Sequence, residues 1–450
     1  MKLHPTFDEN MRALLGGEYG AYLESLAAPP VRGLRVNTRK ISVSEFVAGF
    51  PLPLTPSGYT EDGFVLAPGA GAIGQTPAHH AGLFYVQDPS ATVAAEALRP
   101  HLGKRVLDLC AAPGGKTAQL ACHLPEDGVL VSNDVVFSRA RILQSNLERM
   151  GVENALVTCN PPADFAALFP EWFDAVLVDA PCSGEGMFRK EDAARRDWSP
   201  ASVEACARRQ SDILDCAAHA LRAGGFLLYS TCTLNTTENE DVVKTFLKTH
   251  DFETVPVHDP LKNQCRPGFD LPDAIRVFPH TGTGEGHFAC LMRKRSGVGA
   301  RPIPLTLPYA PCKPSASLCA LREKLTRRAP FGVLRKTGEF FFDVPEHVPF
   351  VRGLNVLKAG VTICTEFRDG RLEPHHNFAT ALKKGERSDG VDFAADSPEV
   401  SLYLHGDAIP CAADFSGFGI LGVQGYPLGL VKSAGGVLKN HYPKGLRNLS

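Results

Sequence analysis

Val106-Leu107-Asp108-Leu109-Cys110-Ala111-Ala112-Pro113-Gly114-Gly115-Lys116-Thr117 reads as a strand that passes through a tight glycine turn into a helix. Glycines let the backbone approach a ligand closely, and the helix N-terminus favours negative charge. Gly115-Lys116-Thr117 resembles the end of a phosphate-binding P-loop. That motif requires a glycine five positions before Gly115, where Cys110 stands instead. A dinucleotide fingerprint G-x-G-x-x-G is also missing from the stretch. Asp134 follows the next apolar strand, 20 residues after Gly114, where an acid suits ribose hydroxyls. A nucleoside-bearing cofactor without a phosphate chain fits both facts, and S-adenosylmethionine is the candidate. The competing view makes Asp134 a cap for a helix beginning near Ser138.

Outward from this stretch, Gln87 to Arg295 alternates between strand-like and helix-like patterns. Strands are expected at Arg105–Leu109, Val129–Asn133, Ala155–Val157, Ala175–Asp179 and Phe226–Ser230. Helices are expected at Thr117–His123, Ser138–Met150, Ser202–Leu221 and Glu238–Thr249, and a last strand over residues 286–292. Such alternation predicts an α/β fold with a parallel sheet. Before it, a short helical pattern (Asn10 to Leu26) and a turn-rich stretch fill residues 1–75. After it, residues 296–320 read as a Pro- and Ser-rich linker, followed by short strand-like pieces broken by Gly and Pro.

Two cysteines lie just past expected strand ends: Cys182 in Asp179-Ala180-Pro181-Cys182-Ser183-Gly184-Glu185-Gly186, and Cys232 in Ser230-Thr231-Cys232-Thr233. Residues beyond strand carboxyl ends line the ligand crevice of an open parallel sheet. Both thiols are therefore expected to face one site beside the acid Asp179. An ionised thiol is a strong nucleophile, and a helix starting near Asn235 to Glu240 would favour ionisation at Cys232. Glu185 is read evenly as a functional acid or a cap. Arg189 and Lys190, and the basic run Val31 to Lys40, are read as phosphate contacts or as solvated charges. His79, His80, His280 and His287 are read as structural.

With 450 residues the chain has room for two to four modules, and 44% hydrophobic content supports sizeable cores. Net charge is −2, so any polyanion site must be a local patch. Thirteen cysteines include no CxxC pair, and no zinc set can be assembled. No secretory h-region follows the first residues and no apolar run approaches ~18 residues. A cytoplasmic protein with reduced thiols, no membrane association and no metal is expected.

The motifs Asp108 to Thr117, Asp179 to Gly186 and Ser230 to Thr233, in this order, resemble those of the RNA cytosine-C5 methyltransferases of the Nol/Nop/Sun family. Pro30 to Asn37, Phe84 to Ser90, Met187 to Lys190, Gly429-Leu430 and Leu438 to Pro443 resemble the bacterial RsmF-type 16S ribosomal RNA subgroup. The likeness spans nearly the whole chain. It implies a Rossmann-like S-adenosylmethionine-dependent core with a small N-terminal α/β module and C-terminal β-rich, PUA-like RNA-binding modules. Boundaries are expected at 1–75 for an N-terminal RNA-binding module, 76–295 for the catalytic domain and 296–320 for the linker. The first C-terminal module is expected over 321–385 and the PUA-like module over 386–450.

The resemblance further implies that Cys232 attacks C6 of a cytosine, so that C5 can accept the methyl group. Asp179 would hydrogen-bond or protonate N3, Cys182 would assist loss of the C5 proton, and Lys116 would lie near cofactor and base. Cys110, Ala111, Ala112, Pro113, Gly114, Gly115, Lys116, Asp134 and Asp179 would hold the cofactor. Many relatives carry an acid after the third strand; here Asn160 stands in that segment, so the contact is either Asn160 or missing. The expected partner is 16S ribosomal RNA or the small ribosomal subunit, bound by a monomer. Transfer RNA or DNA cytosine, the latter suggested by Pro181-Cys182, is the alternative substrate. A non-catalytic RNA-binding assembly factor is the alternative of another class.

Overall fold

The computed structural model describes residues 3–297, 299, 310–330, 332–411 and 413–448. Its centre is a sheet whose parallel strands are β1 (Arg105–Asp108), β2 (Val129–Asn133), β3 (Ala155–Thr158), β4 (Phe173–Asp179) and β5 (Leu221–Thr231). Strands β6 (Leu271–Val277) and β7 (His287–Lys294) complete it, β7 running antiparallel to β5. The spatial order is 3-2-1-4-5-7-6. Strand order reverses between β1 and β4, which opens a crevice at their carboxyl ends.

The sheet stays buried because its strands are apolar on both faces. Leu107, Val131, Val176 and Val178 point into one core cluster, while Val106, Leu130, Ala175 and Leu177 point into the other. Burying each such side chain contributes roughly 1.5–3 kcal/mol, and parallel strands covered on both sides require this composition. The covering helices are α1 (Gly115–His123), α2 (Phe137–Arg149), α3 (Pro162–Leu168), α4 (Pro200–Ala220) and α5 (Glu240–Thr249). Helix α4 starts with a capping box: Ser199 Oγ accepts from Ser202 N and Ser202 Oγ from Ser199 N.

Three local departures from expectation have simple causes. The Asn10 to Leu26 pattern forms two helices, Pro5–Leu15 and Tyr19–Ala27, because Gly16 takes a positive φ of 53° between them. Pro161-Pro162 does not only break structure. Pro162 occupies the first turn of α3, where its missing N–H costs nothing. Cys232 does not sit at a helix start, since α5 begins at Glu240 after an irregular loop.

An antiparallel N-terminal sheet, ordered Leu54–Pro56, Gly63–Leu66, Gly33–Val36 and Phe84–Val86, packs beside the catalytic unit. Its basic run is largely internal. Arg35 is fully buried against Asp62, Arg39 donates to Ala121 O, and Lys40 donates to Ala81 O and Arg149 O. Residues 310–374 form a second antiparallel sheet, and Val356–Ala359 leaves it to pair with β3 at the edge of the catalytic sheet. The C-terminal sheet, Gly390–Phe393, Gly417–Val423, Tyr426–Ala434 and Val437–Asn440, shares one apolar core with the N-terminal sheet.

Candidate active site

The glycine turn between β1 and α1 is built as the sequence demands. Gly114 has φ 112°, and a Cβ there would meet Leu143 Cδ1 at 3.1 Å. Thr117 Oγ1 donates to Asp108 Oδ2 at 2.6 Å and ties α1 to the end of β1. Burial raises the Asp108 carboxyl to about 7. At the end of β2, Asp134 accepts from Val136 N at 3.0 Å and pairs with Arg139 at 3.2 Å. A cleft of about 530 Å³ runs from Asp134, Val135 and Pro162 past Cys110 to Asp179, Cys182 and Cys232.

A second cavity of about 750 Å³ shares Cys110, Ala112, Arg139, Asp179, Cys182 and Cys232 with this cleft and extends past Lys116, His287 and Trp198. The Cys182 and Cys232 sulfurs lie 3.3 Å apart where the two spaces join. The adjacent Cys232 sulfur, with burial second, pushes the Cys182 thiol well above its ordinary range. Cys182 therefore keeps its proton. Burial also pushes the Cys110 thiol up, so it is a wall of the cleft and not a nucleophile.

Asp179 ends β4 and is held from both sides. Lys116 Nζ donates to Oδ2 at 2.7 Å and Ser230 Oγ donates to Oδ1 at 2.9 Å. Burial acts to raise its pKa, yet the Lys116 charge and these donors leave the carboxyl below its usual range. Asp179 is ionised, and the site offers a fixed carboxylate beside a fixed ammonium. His287 Nε2 stands 3.9 Å from Asp179 Oδ1. Burial, then the Lys116 charge, lowers this imidazole to about 3, so it is neutral.

The loops that carry the thiols are locked by buried carboxylates. Glu238 accepts from Ser183 N, Gln210 Nε2 and Asn235 Nδ2 at 2.8–2.9 Å, and also from Ser183 Oγ. Glu185 accepts from Trp198 Nε1, Leu234 N and Asn235 N at 2.8–2.9 Å. Glu185 is therefore a brace between the two cysteine loops. Gly186 is required there by close approach: a Cβ would lie 2.7 Å from Cys232 O.

The structure thus brings Cys182, Cys232, Asp179 and Lys116 together, with Cys110, Ala112 and Asp134 along the adjoining cleft. It places Asn160 elsewhere. The Asn160 amide donates to Asp164 and Gly353 O and accepts from Asn355 N, so both ends of it fasten the edge strand to α3. Pro161, Pro162 and Ala163 line the cleft in its stead. Arg189 and Lys190 are internal as well, paired with Glu285 and Asp88. His287, read from the residues as structural, and Glu238 carry no motif signal, because only strand pairing and loop closure bring them to the thiols. Phe288 pairs with Thr231, which carries His287 to the level of Cys232.

The sequence profile of the 16S rRNA methyltransferase RsmB/F family matches residues 95–293. Profiles for the RsmF N-terminal and PUA domains match residues 3–89 and 391–448. Ribosomal RNA small subunit methyltransferase F of Erwinia tasmaniensis is 34% identical over 98% of this chain and 96% of its own. This chain belongs to the RsmF family. The same-named protein of an Enterobacter species is 34% identical over 95% and 92% of the two chains. The crystal structure of a methyltransferase homolog protein from Pyrococcus horikoshii superposes with a TM-score of 0.58 at 31% identity, covering 64% of this chain and 94% of that one.

Methyl transfer, the reaction named for this family, needs a donor, and the expected S-adenosylmethionine would supply an electrophilic methyl group on a sulfonium. The cleft fits such a group. Asp134 offers a carboxylate at one end, and Val135, Pro162 and Ile213 give apolar walls. No phosphate-binding cradle is needed, consistent with Cys110 in place of a P-loop glycine. Among the described residues no cluster could hold a metal ion, and no helix is long and apolar enough to cross a membrane.

Proposed function

We propose that the protein methylates C5 of a cytosine in 16S ribosomal RNA through a temporary bond between Cys232 and C6. The observation that carries this is the pair of thiols, 3.3 Å apart, at the junction of a cofactor cleft and a larger cavity with Asp179 between them. Carbon C5 of cytosine is a poor nucleophile. Addition of the Cys232 sulfur to C6 breaks the C5–C6 double bond and makes C5 electron-rich enough to take the methyl group. Asp179, ionised and oriented by Lys116 and Ser230, accepts a hydrogen bond from the amine edge of the base, and the Lys116 ammonium beside it offsets the negative charge that builds on the ring. Loss of the C5 proton then restores the double bond and expels Cys232.

Cys182 suits the proton-removing step because of its timing. The Cys232 sulfur is the largest influence holding the Cys182 proton on. Once that sulfur is bonded to carbon, the influence disappears, and Cys182 becomes more acidic when a base is required. The target base must leave its helical stack to reach this buried pair. The N-terminal and PUA-like modules, at 1–75 and 386–450, are proposed to bind the RNA around it by shape and single-stranded bases.

Incubation with 16S ribosomal RNA or small subunits, followed by mass-spectrometric mapping, tests the assignment. The expected product is 5-methylcytosine at a defined position. Methyl groups in another base, or only in transfer RNA or DNA, would overturn it, as would a protein that binds RNA and transfers no methyl group.

A further inference from the structure

His287 opens β7 and is 2% exposed, yet its Nε2 makes no hydrogen bond among the described residues. It lines the larger cavity together with Lys116, Asp179, Cys182 and Cys232. A buried polar atom without a partner is costly, and native structures keep few of them. A ring N–H facing a carboxylate closes to about 2.9 Å, whereas Nε2 stands off from Asp179 Oδ1 at 3.9 Å. A neutral imidazole has one acceptor nitrogen, and that separation assigns the lone pair to Nε2. Nε2 is thus a hydrogen-bond acceptor, fixed 3.9 Å from a second acceptor, Asp179 Oδ1.

Two acceptors converging on one point match a group that donates two hydrogens. Cytosine carries such a group, the exocyclic amine at C4. Uracil presents a carbonyl oxygen at the same place, which both acceptors repel. We propose that His287 Nε2 and Asp179 together read the two amine hydrogens of the target base, and that His287 is a recognition residue separating cytosine from uracil. The inference rests on the cytosine assignment above and extends it to a side chain outside the thiol and acid motifs. A binding site built around a substrate N–H rejects an analogue lacking it far more strongly than an apolar pocket rejects an extra methylene.

The test compares 16S ribosomal RNA transcribed with cytidine or with N4-methylcytidine, which has lost one amine hydrogen, as free RNA and as reconstituted small subunits. Any effect of the modification on RNA folding is common to wild type and variants, so it cancels in the ratio of their penalties. For the wild type, kcat/KM should fall roughly thirtyfold or more with the modified RNA. In His287→Ala it should be about tenfold lower on cytidine RNA, with the modification penalty reduced to about threefold. His287→Gln, whose amide oxygen can accept, should recover most of the cytidine activity. Calorimetric cofactor affinity should be unchanged in both variants, which controls for folding. An equal penalty in wild type and His287→Ala would overturn the inference while leaving the cytosine assignment intact. Absence of 5-methylcytosine in the wild-type product would instead remove the assignment beneath it.

Discussion

The Cys182 and Cys232 sulfurs meet at 3.3 Å because β4 and β5 pair in parallel with Asp179 opposite Ser230. Each thiol then lies a few residues beyond its strand, on loops held by Glu238 and Glu185. Within the pair, Cys182 holds its proton more tightly than a free thiol does.

Single substitutions should separate the proposed roles of the two sulfurs. Cys232→Ala is expected to lose activity roughly a thousandfold or more and to form no protein–RNA adduct. Cys182→Ala should instead accumulate the adduct, visible as a slow-migrating band on a denaturing gel. The reverse pattern would exchange the two assignments.

Asp179 is held below its ordinary range against its own burial, with Lys116 the largest opposing influence. Lys116→Met removes that charge, so the carboxyl should rise and the acid limb of kcat/KM should move to higher pH. A pH–rate profile from about pH 3.5 to 8 reads the shift, because the wild-type limb lies below the ordinary carboxylate value. An unmoved limb would show that the pair does not govern Asp179 during turnover.

Glu238 gathers hydrogen bonds from Ser183, Gln210 and Asn235 at a fully buried position. Glu238→Ala should cost about 3 kcal/mol in urea unfolding, because those donors lose their acceptor inside the protein. The Cys182 loop should loosen with it, so turnover should fall even where the protein remains folded. Unchanged unfolding midpoint and turnover would contradict the brace.

A cluster of basic groups is buried where α2, the N-terminal sheet and the C-terminal units meet. Burial lowers His79 and His376 to about 3, and His80 and His375 are also lowered, with Lys40 and Arg149 nearby. The unfolded chain takes up these protons near pH 6.5, whereas the folded protein does not. Stability from this source is therefore complete above about pH 6.5 and is lost as pH falls toward 3. Melting temperature should fall steadily from about pH 7 to 5, less steeply in His376→Phe, which keeps a ring against Tyr442. Identical slopes for the two proteins would exclude His376 as a contributor.

The parallel strands and the glycine turn were legible in the residues because their causes are local. Val129–Asn133 is apolar on both faces, and Gly114 supplies a backbone conformation that other residues resist. Asp134 was legible through its interval from the glycine turn. Asn160 misled because its position after β3 suggests a cleft contact, while its amide is consumed by Gly353 and Asn355, nearly two hundred residues away. The basic run at Val31 to Lys40 misled for the same reason. Its cations find carbonyls and Asp62 in a packed interface, which charge spacing does not reveal.

Sequence alone determined the chemistry on offer: two thiols and an acid at strand ends, a lysine at the start of α1, and a second acid 20 residues past the glycine turn. Tertiary structure decided which of these groups touch, that Cys182 stays protonated, and that an unpaired imidazole faces the same cavity. Patterns of burial and backbone freedom are short-range and leave a trace in neighbouring residues. Pairing of β5 with β4 and β7 is long-range, and it is fixed by how apolar faces pack rather than by any motif.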